Sequence, residues 1–162
     1  MKQQIQFFTN HVPEVYCKGR ITAISISNRK GIPKSNVNTA RLIDDYGIEG
    51  DVHAGKWHRQ VSFLALESIQ KLREKGLPKL RPGAFAENIT TEFINLPGLQ
   101  VGTKIKIGNE IELEVTQIGK ECHTRCAIYF KVGDCVMPSE GIFTKVIKGG
   151  TIYVSDEARI ED

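Results

Sequence analysis

Lys104-Ile105-Lys106-Ile107-Gly108-Asn109-Glu110-Ile111-Glu112-Leu113-Glu114-Val115 is the stretch whose reading decides the fold. Apolar and charged residues alternate strictly on both sides of Gly108-Asn109, a pair suited to a tight turn between antiparallel strands. The lysines of one outer face oppose the glutamates of the other, which suits cross-strand pairing. Working outward, residues 21–27 are rich in β-branched residues, 38–43 read as a short strand, and 61–66 read as a buried strand. Residues 83–91 read as a loop leading into a strand. Gly149-Gly150 lies between two further apolar runs and reads as a second hairpin turn. One helix is expected over 67–75. Leu66, Ile69 and Leu72 mark one face, Glu67 lies in the first turn, and Gly76 and Pro78 follow the end. Many strands, few helices and no βαβ rhythm predict a mostly β (α+β) fold, a barrel or sandwich with a few short helices. Residues 1–18 are expected to form an N-terminal arm and 19–162 one domain.

The composition fits a single folded unit. The chain has 162 residues, 40% hydrophobic and 25% charged, long enough to bury a real core. A formal charge of +3 is compatible with an anionic ligand and too small to imply nucleic acid. No apolar run approaches the roughly 20 residues of a membrane helix. Gln3, Gln4 and Gln6 interrupt any signal-peptide core, so a cytoplasmic location without membrane contact is expected.

Downstream of the hairpin the strand breaks at Gly119 and delivers Lys120-Glu121-Cys122-His123-Thr124-Arg125-Cys126. Cations beside Cys122 favour thiolate, the form that attacks sulfur or binds metal. Cys122 is therefore the candidate functional thiol, against the alternative of an inert, half-buried cysteine. The four cysteines are Cys17, Cys122, Cys126 and Cys135. Cys122, His123, Cys126 and Cys135 could be read as a zinc site, although the paired Cys-x2-Cys knuckle is missing.

A second constellation is Asp51, His53, His58 and Arg59, within nine residues of a glycine-rich loop. Such loops bring backbone N–H groups to anions, and Arg59 can grip phosphate through two donors. Equally, Asp51 and the histidines could simply satisfy the loop backbone. Residues 28–35 form a basic loop, either a solvated connection or a phosphate-facing one. Glu87-Asn88 could hydrogen-bond a heterocycle or tie loops together. Dinucleotide, P-loop and Gly-x-Ser-x-Gly hydrolase motifs are absent.

Taken in order, Gly50-Asp51-Val52-His53-Ala54-Gly55, His58-Arg59-Gln60, Glu87-Asn88-Ile89-Thr90-Thr91, Val101-Gly102-Thr103, Leu113-Glu114-Val115-Thr116-Gln117, Lys120-Glu121-Cys122 and Gly141-Ile142-Phe143 resemble a MOSC domain. That module is named for the C-terminal part of molybdenum-cofactor sulfurase. The likeness runs from about Gly19 to Asp156. It implies a MOSC-like β-barrel that handles molybdenum cofactor (molybdopterin), or sulfur destined for metal–sulfur chemistry. The family's key cysteine falls on Cys122, as metal ligand or sulfur carrier, and soft thiolate suits either role. Asp51, His53, His58, Arg59, Glu87, Asn88 and Lys120 are the implied cofactor-binding residues. Implied partners are a sulfur-donor desulfurase or a redox protein. Implied activities are molybdenum-dependent reduction of N-hydroxylated compounds, or delivery of cofactor or sulfur within a sulfurtransferase system. The different-class alternative is a non-catalytic structural-zinc or protein-interaction domain. No pyridoxal-phosphate desulfurase domain is present in the sequence. Three positions depart from the family pattern: Glu121 stands where Pro is common, residues 137–140 lack Arg, and Ser155-Asp156 replaces Gly-Asp.

Overall fold

The computed structural model describes residues 17–120, 127–133 and 135–161. The expected arm, residues 1–18, falls almost wholly outside them. The described residues form eleven strands: β1 (Lys18–Ile26), β2 (Ser35–Val37), β3 (Thr39–Ile43), β4 (Gly47–Ile48), β5 (Val61–Ala65), β6 (Ile89–Ile94), β7 (Lys104–Ile107), β8 (Ile111–Ile118), β9 (Ile142–Lys148), β10 (Gly150–Tyr153) and β11 (Glu157–Glu161). Helices α1 (Leu66–Glu74), α2 (Ala127–Val132) and α3 (Met137–Glu140) lie between them. No helix among the described residues is long and apolar enough to cross a membrane.

Seven strands close on themselves in the order β11-β7-β8-β9-β5-β6-β1, with β1 pairing back to β11 and β2 attached outside on β1. The fold is therefore a mostly β barrel. β7 and β8 pair as their alternation requires, Lys104 opposite Glu114 and Lys106 opposite Glu112. The connecting loop spans three residues, 108–110, because Ile107 pairs with Ile111. Lys106 and Lys104 reach the Glu112 carboxylate at 3.1 and 3.3 Å and hold it below the usual carboxylate range. The inward residues of these strands, Ile105, Ile107, Ile111, Leu113 and Val115, join Ile21, Ile24, Phe63, Ile89, Ile142 and Val146 in one core.

Every residue of β5 is buried. Val61, Phe63 and Ala65 face the barrel interior, while Leu64 joins a second cluster outside it with Ile69, Leu72, Val136, Met137 and Phe143. Both faces are covered, so this strand reads as a continuous apolar run rather than an alternating one. Ile69 and Leu72 are the fully buried positions through which α1 docks; each contributes roughly 1.5–3 kcal/mol of burial.

Two expectations require correction. Gly149-Gly150 does not turn a hairpin: β9 pairs with β8 and β5, whereas β10 leaves the barrel and pairs with β3 in a separate three-stranded sheet, β10-β3-β4. Gly149 is a crossing point, where an added Cβ would stand 2.1 Å from the Leu42 carbonyl oxygen. The glycine pair is demanded by close approach rather than by a turn. Second, one βαβ unit is present, because β5 and β6 pair in parallel across α1. A single parallel pair leaves no repeating rhythm to detect in sequence.

Candidate functional site: an aromatic, cationic cleft at the end of β8

Gln60 anchors the loop that precedes β5. Its buried amide donates to Asp45 Oδ1 (3.0 Å) and accepts the Val146 N–H (2.9 Å). That anchor fixes its neighbour Arg59, whose guanidinium lies over the Trp57 ring at 4.7 Å and the Phe143 ring at 5.6 Å. Cation–π stacking on two rings holds an arginine without consuming its N–H donors. Arg59 Nε is buried and has no hydrogen-bond partner among the described residues. Trp57 is itself fixed: its indole N–H donates to the His53 carbonyl at 2.8 Å, and the His58 ring meets it edge-on at 5.8 Å.

Around Arg59 lies a cleft walled by Trp57, Phe85 and Phe143, with His53, Asn88 and Lys120 supplying polar groups. Lys120 is held by backbone. Gly119 N–H donates to the Gly141 carbonyl at 2.6 Å, and Lys120 N–H donates to the Met137 carbonyl at 3.2 Å. The break expected at Gly119 is real: β8 ends at Ile118, and Gly119 has φ +72°. A Cβ there would stand 2.1 Å from the Pro138 carbonyl oxygen, so the strand end is pressed against α3.

Behind the cleft wall is a buried ion pair. Lys34, 1% exposed, places its ammonium 2.8 Å from both oxygens of Asp51 and 2.8 Å from His53 Nδ1. Asp51 also accepts the N–H groups of Ser27 (3.1 Å) and His53 (3.2 Å). The basic loop 28–35 thus sends its last lysine inward to the core rather than outward.

The structure distributes the expected site residues unevenly. His53, Arg59, Asn88 and Lys120 line one cleft. Asp51 is occupied with Lys34 and backbone. Glu87 is fully buried and accepts the N–H groups of Gly83 (2.6 Å) and Phe85 (3.0 Å), shaping the loop that carries Phe85. Asn88 is also committed, accepting Ser62 N–H (3.1 Å) and donating to the Ser25 carbonyl (3.1 Å). His58 is not among the residues that line the cleft; its ring bonds Gln117 Oε1 at 2.9 Å. Cys122, with Glu121, His123, Arg125 and Cys126, lies outside the described residues; Lys120, two positions earlier, is described and lines the cleft. Cys17 bridges to Ile94 at the start of β1, and Cys135 packs beside the outer cluster under α1 and α3. Among the described residues no three His, Cys, Asp or Glu side chains are grouped to hold a metal ion.

Sequence reading missed Trp57, Phe143 and Lys34. Trp57 is the only tryptophan in the chain and stands in the glycine-rich loop, which was a usable signal. Phe143 looks like any core aromatic in a strand, and nothing local marks Lys34 among its basic neighbours.

A family model described as MOSC domain matches residues 50–159. The chain belongs to the MOSC domain family. Its fold is that of solved structures with low sequence identity. The YuaD protein from Bacillus subtilis is 18% identical with a TM-score of 0.74, covering 88% of this chain and 95% of that one. YiiM from Geobacillus stearothermophilus is 18% identical with a TM-score of 0.67, covering 89% and 75%. YiiM from Escherichia coli is 16% identical with a TM-score of 0.62, covering 88% and 70%. Comparison with curated proteins gives no match. The matched MOSC residues, 50–159, contain the cleft loop, β5, β8 and the Cys122 segment, so the barrel and the cleft walls belong largely to one module.

Proposed function

We propose that this MOSC protein binds molybdenum cofactor in the Arg59 cleft and uses Cys122, on the segment after β8, as a soft ligand to the metal or as a sulfur carrier. The observation that supports this most is Arg59 itself. It is a cation fixed between Trp57 and Phe143, with a buried N–H that has no acceptor among the described residues. A buried donor without a partner costs about 1–3 kcal/mol, and an anionic ligand oxygen would satisfy it. The aromatic walls suit a flat heterocycle. Such a cofactor, when bound, supplies a sulfur-ligated, redox-active metal centre. The protein's own residues would hold it: Arg59 and Lys120 neutralise its anionic group, Trp57 and Phe143 flank it, and Asn88 closes the polar side.

The test is molybdenum content and pterin-derived fluorescence of protein purified under reducing conditions, for the wild type and Cys122→Ser, with mass spectrometry for a persulfide. Wild type is expected to carry molybdenum and pterin, or a persulfide on Cys122. The serine variant, folded by circular dichroism, is expected to lose the metal centre and the persulfide. A variant that keeps both would sink the role of Cys122, and zinc alone in the wild type would favour a structural-metal domain.

A further inference from the structure

We propose that Lys34 is a positioning residue that locks His53 in one tautomer, neutral and with its proton on Nε2, so that His53 serves the cleft as a fixed hydrogen-bond donor to an oxyanion. The inference rests on the cleft being the anion-binding site argued above, and it adds the ligand chemistry demanded at His53. Lys34 Nζ is 2.8 Å from His53 Nδ1. An ammonium group can only donate, so Nδ1 must accept, and a ring with one acceptor nitrogen carries its single proton on the other. Burial lowers the pKa of Lys34, and Asp51, with both carboxylate oxygens at 2.8 Å, opposes that shift together with Glu87 and favours the ammonium form. It also clamps the His53 backbone N–H at 3.2 Å, which fixes the ring's origin. No partner of His53 Nε2 is present among the described residues, and His53 lines the cleft with a partly exposed side chain.

The surrounding charges work in the same direction. Lys34, Lys120 and Lys30 all oppose a second proton on the ring, Arg59 lines the same cleft, and Asp51 alone favours that proton. Burial and Lys34 bring the pKa of His53 down to about 4. A histidine that stays neutral donates without gaining charge, so its grip does not weaken as pH rises through the range where free histidine loses its proton. Its preferred ligand atom is a pure acceptor such as a phosphate monoester oxygen, while groups that present a donor are rejected.

The test needs no bound cofactor, so it can fail or succeed independently of the molybdenum reading. Nitrogen-15 NMR of the histidine rings, with His53 assigned through His53→Gln, is expected to show the Nε2–H tautomer unchanged from about pH 5 to about pH 8. Lys34→Met alone would strand the Asp51 charge in the core. Lys34→Met/Asp51→Asn removes both charges and keeps an acceptor for the loop N–H groups. In that variant the ammonium donor is gone, and His53 is expected to populate both tautomers. A wild-type His53 protonated on Nδ1, or titrating above about pH 6, overturns the proposal; if the double variant does not fold, the wild-type spectrum still decides. Trp57, the sole tryptophan, reports cleft binding of inorganic phosphate by fluorescence. His53→Leu is expected to weaken phosphate binding about tenfold, and His53→Gln, which keeps a donor in the Nε2 position, to leave it nearly unchanged. No phosphate response in the wild type, or equal loss in both variants, removes the donor role.

Discussion

Glu87 and Arg59 show how differently a charged side chain can be committed. Glu87 is buried, and burial raises its pKa against the opposing pull of the Gly83 and Phe85 N–H groups. Glu87→Ala leaves both N–H groups without an acceptor, and we expect it to destabilise the fold by roughly 2–4 kcal/mol. Glu87→Gln, retaining one acceptor oxygen, should lose about half as much. Urea unfolding midpoints measure both, and equal stability of Glu87→Ala and wild type would contradict the geometry. Arg59 has rings beneath it and an unused buried donor. Arg59→Ala should leave stability nearly unchanged while weakening cofactor retention by roughly 1.5–3 kcal/mol, the worth of a hydrogen bond to a charged group. Retained pterin fluorescence per folded protein is the readout, and unchanged occupancy would remove Arg59 from the site. Arg59 was legible in the sequence because a lone arginine closing a glycine-rich loop has few structural uses. Lys34 was not: a lysine among Arg29, Lys30 and the breakers Gly31 and Pro33 looks solvated, and only Asp51, seventeen residues away, turns it inward.

Among the elements, the β8 end carries the most consequence for the site. Gly119 combines φ +72° with a Pro138 carbonyl oxygen 2.1 Å from where a Cβ would stand. Gly119→Ala must push α3 away and strain the backbone, and we expect a loss of about 2–4 kcal/mol together with displacement of Lys120. Differential scanning calorimetry should show the lowered Tm, and an unaltered Tm would mean that α3 yields freely. The β7–β8 hairpin and α1 were readable because their partners are near in sequence and their periodicities uninterrupted. The pairing of β10 was not. Glycine pairs that turn a hairpin and glycine pairs that let two backbones cross look the same locally, and the choice depends on Leu42, more than a hundred residues upstream.

At the scale of the whole molecule, pH should act on stability through His53. Its folded pKa, about 4, lies below the free value of 6.5, so the unfolded chain binds the proton more readily. This contribution is complete above about pH 6.5 and is lost as pH falls toward about 4. Glu87 works oppositely, since its raised pKa favours the folded state most at low pH. We therefore expect the urea midpoint of the wild type to drop between about pH 7 and about pH 5, and His53→Gln to flatten that drop by the histidine share. Identical pH profiles for the two proteins would exclude His53 as the cause.

The seam between β1 and β11 has a consequence for how the molecule comes into being. Lys18 pairs with Arg159, so the barrel is closed by residues 141 positions apart (159 − 18). Closure over such a separation makes folding slow relative to helical proteins of similar size. During synthesis, β1 and β7 would each present a bare strand edge until residues 157–161 leave the ribosome, and bare edges recruit other strands. A nascent chain arrested just before Glu157 is therefore expected to be captured by chaperones and degraded by added protease. One arrested with Glu161 well clear of the exit tunnel should resist both.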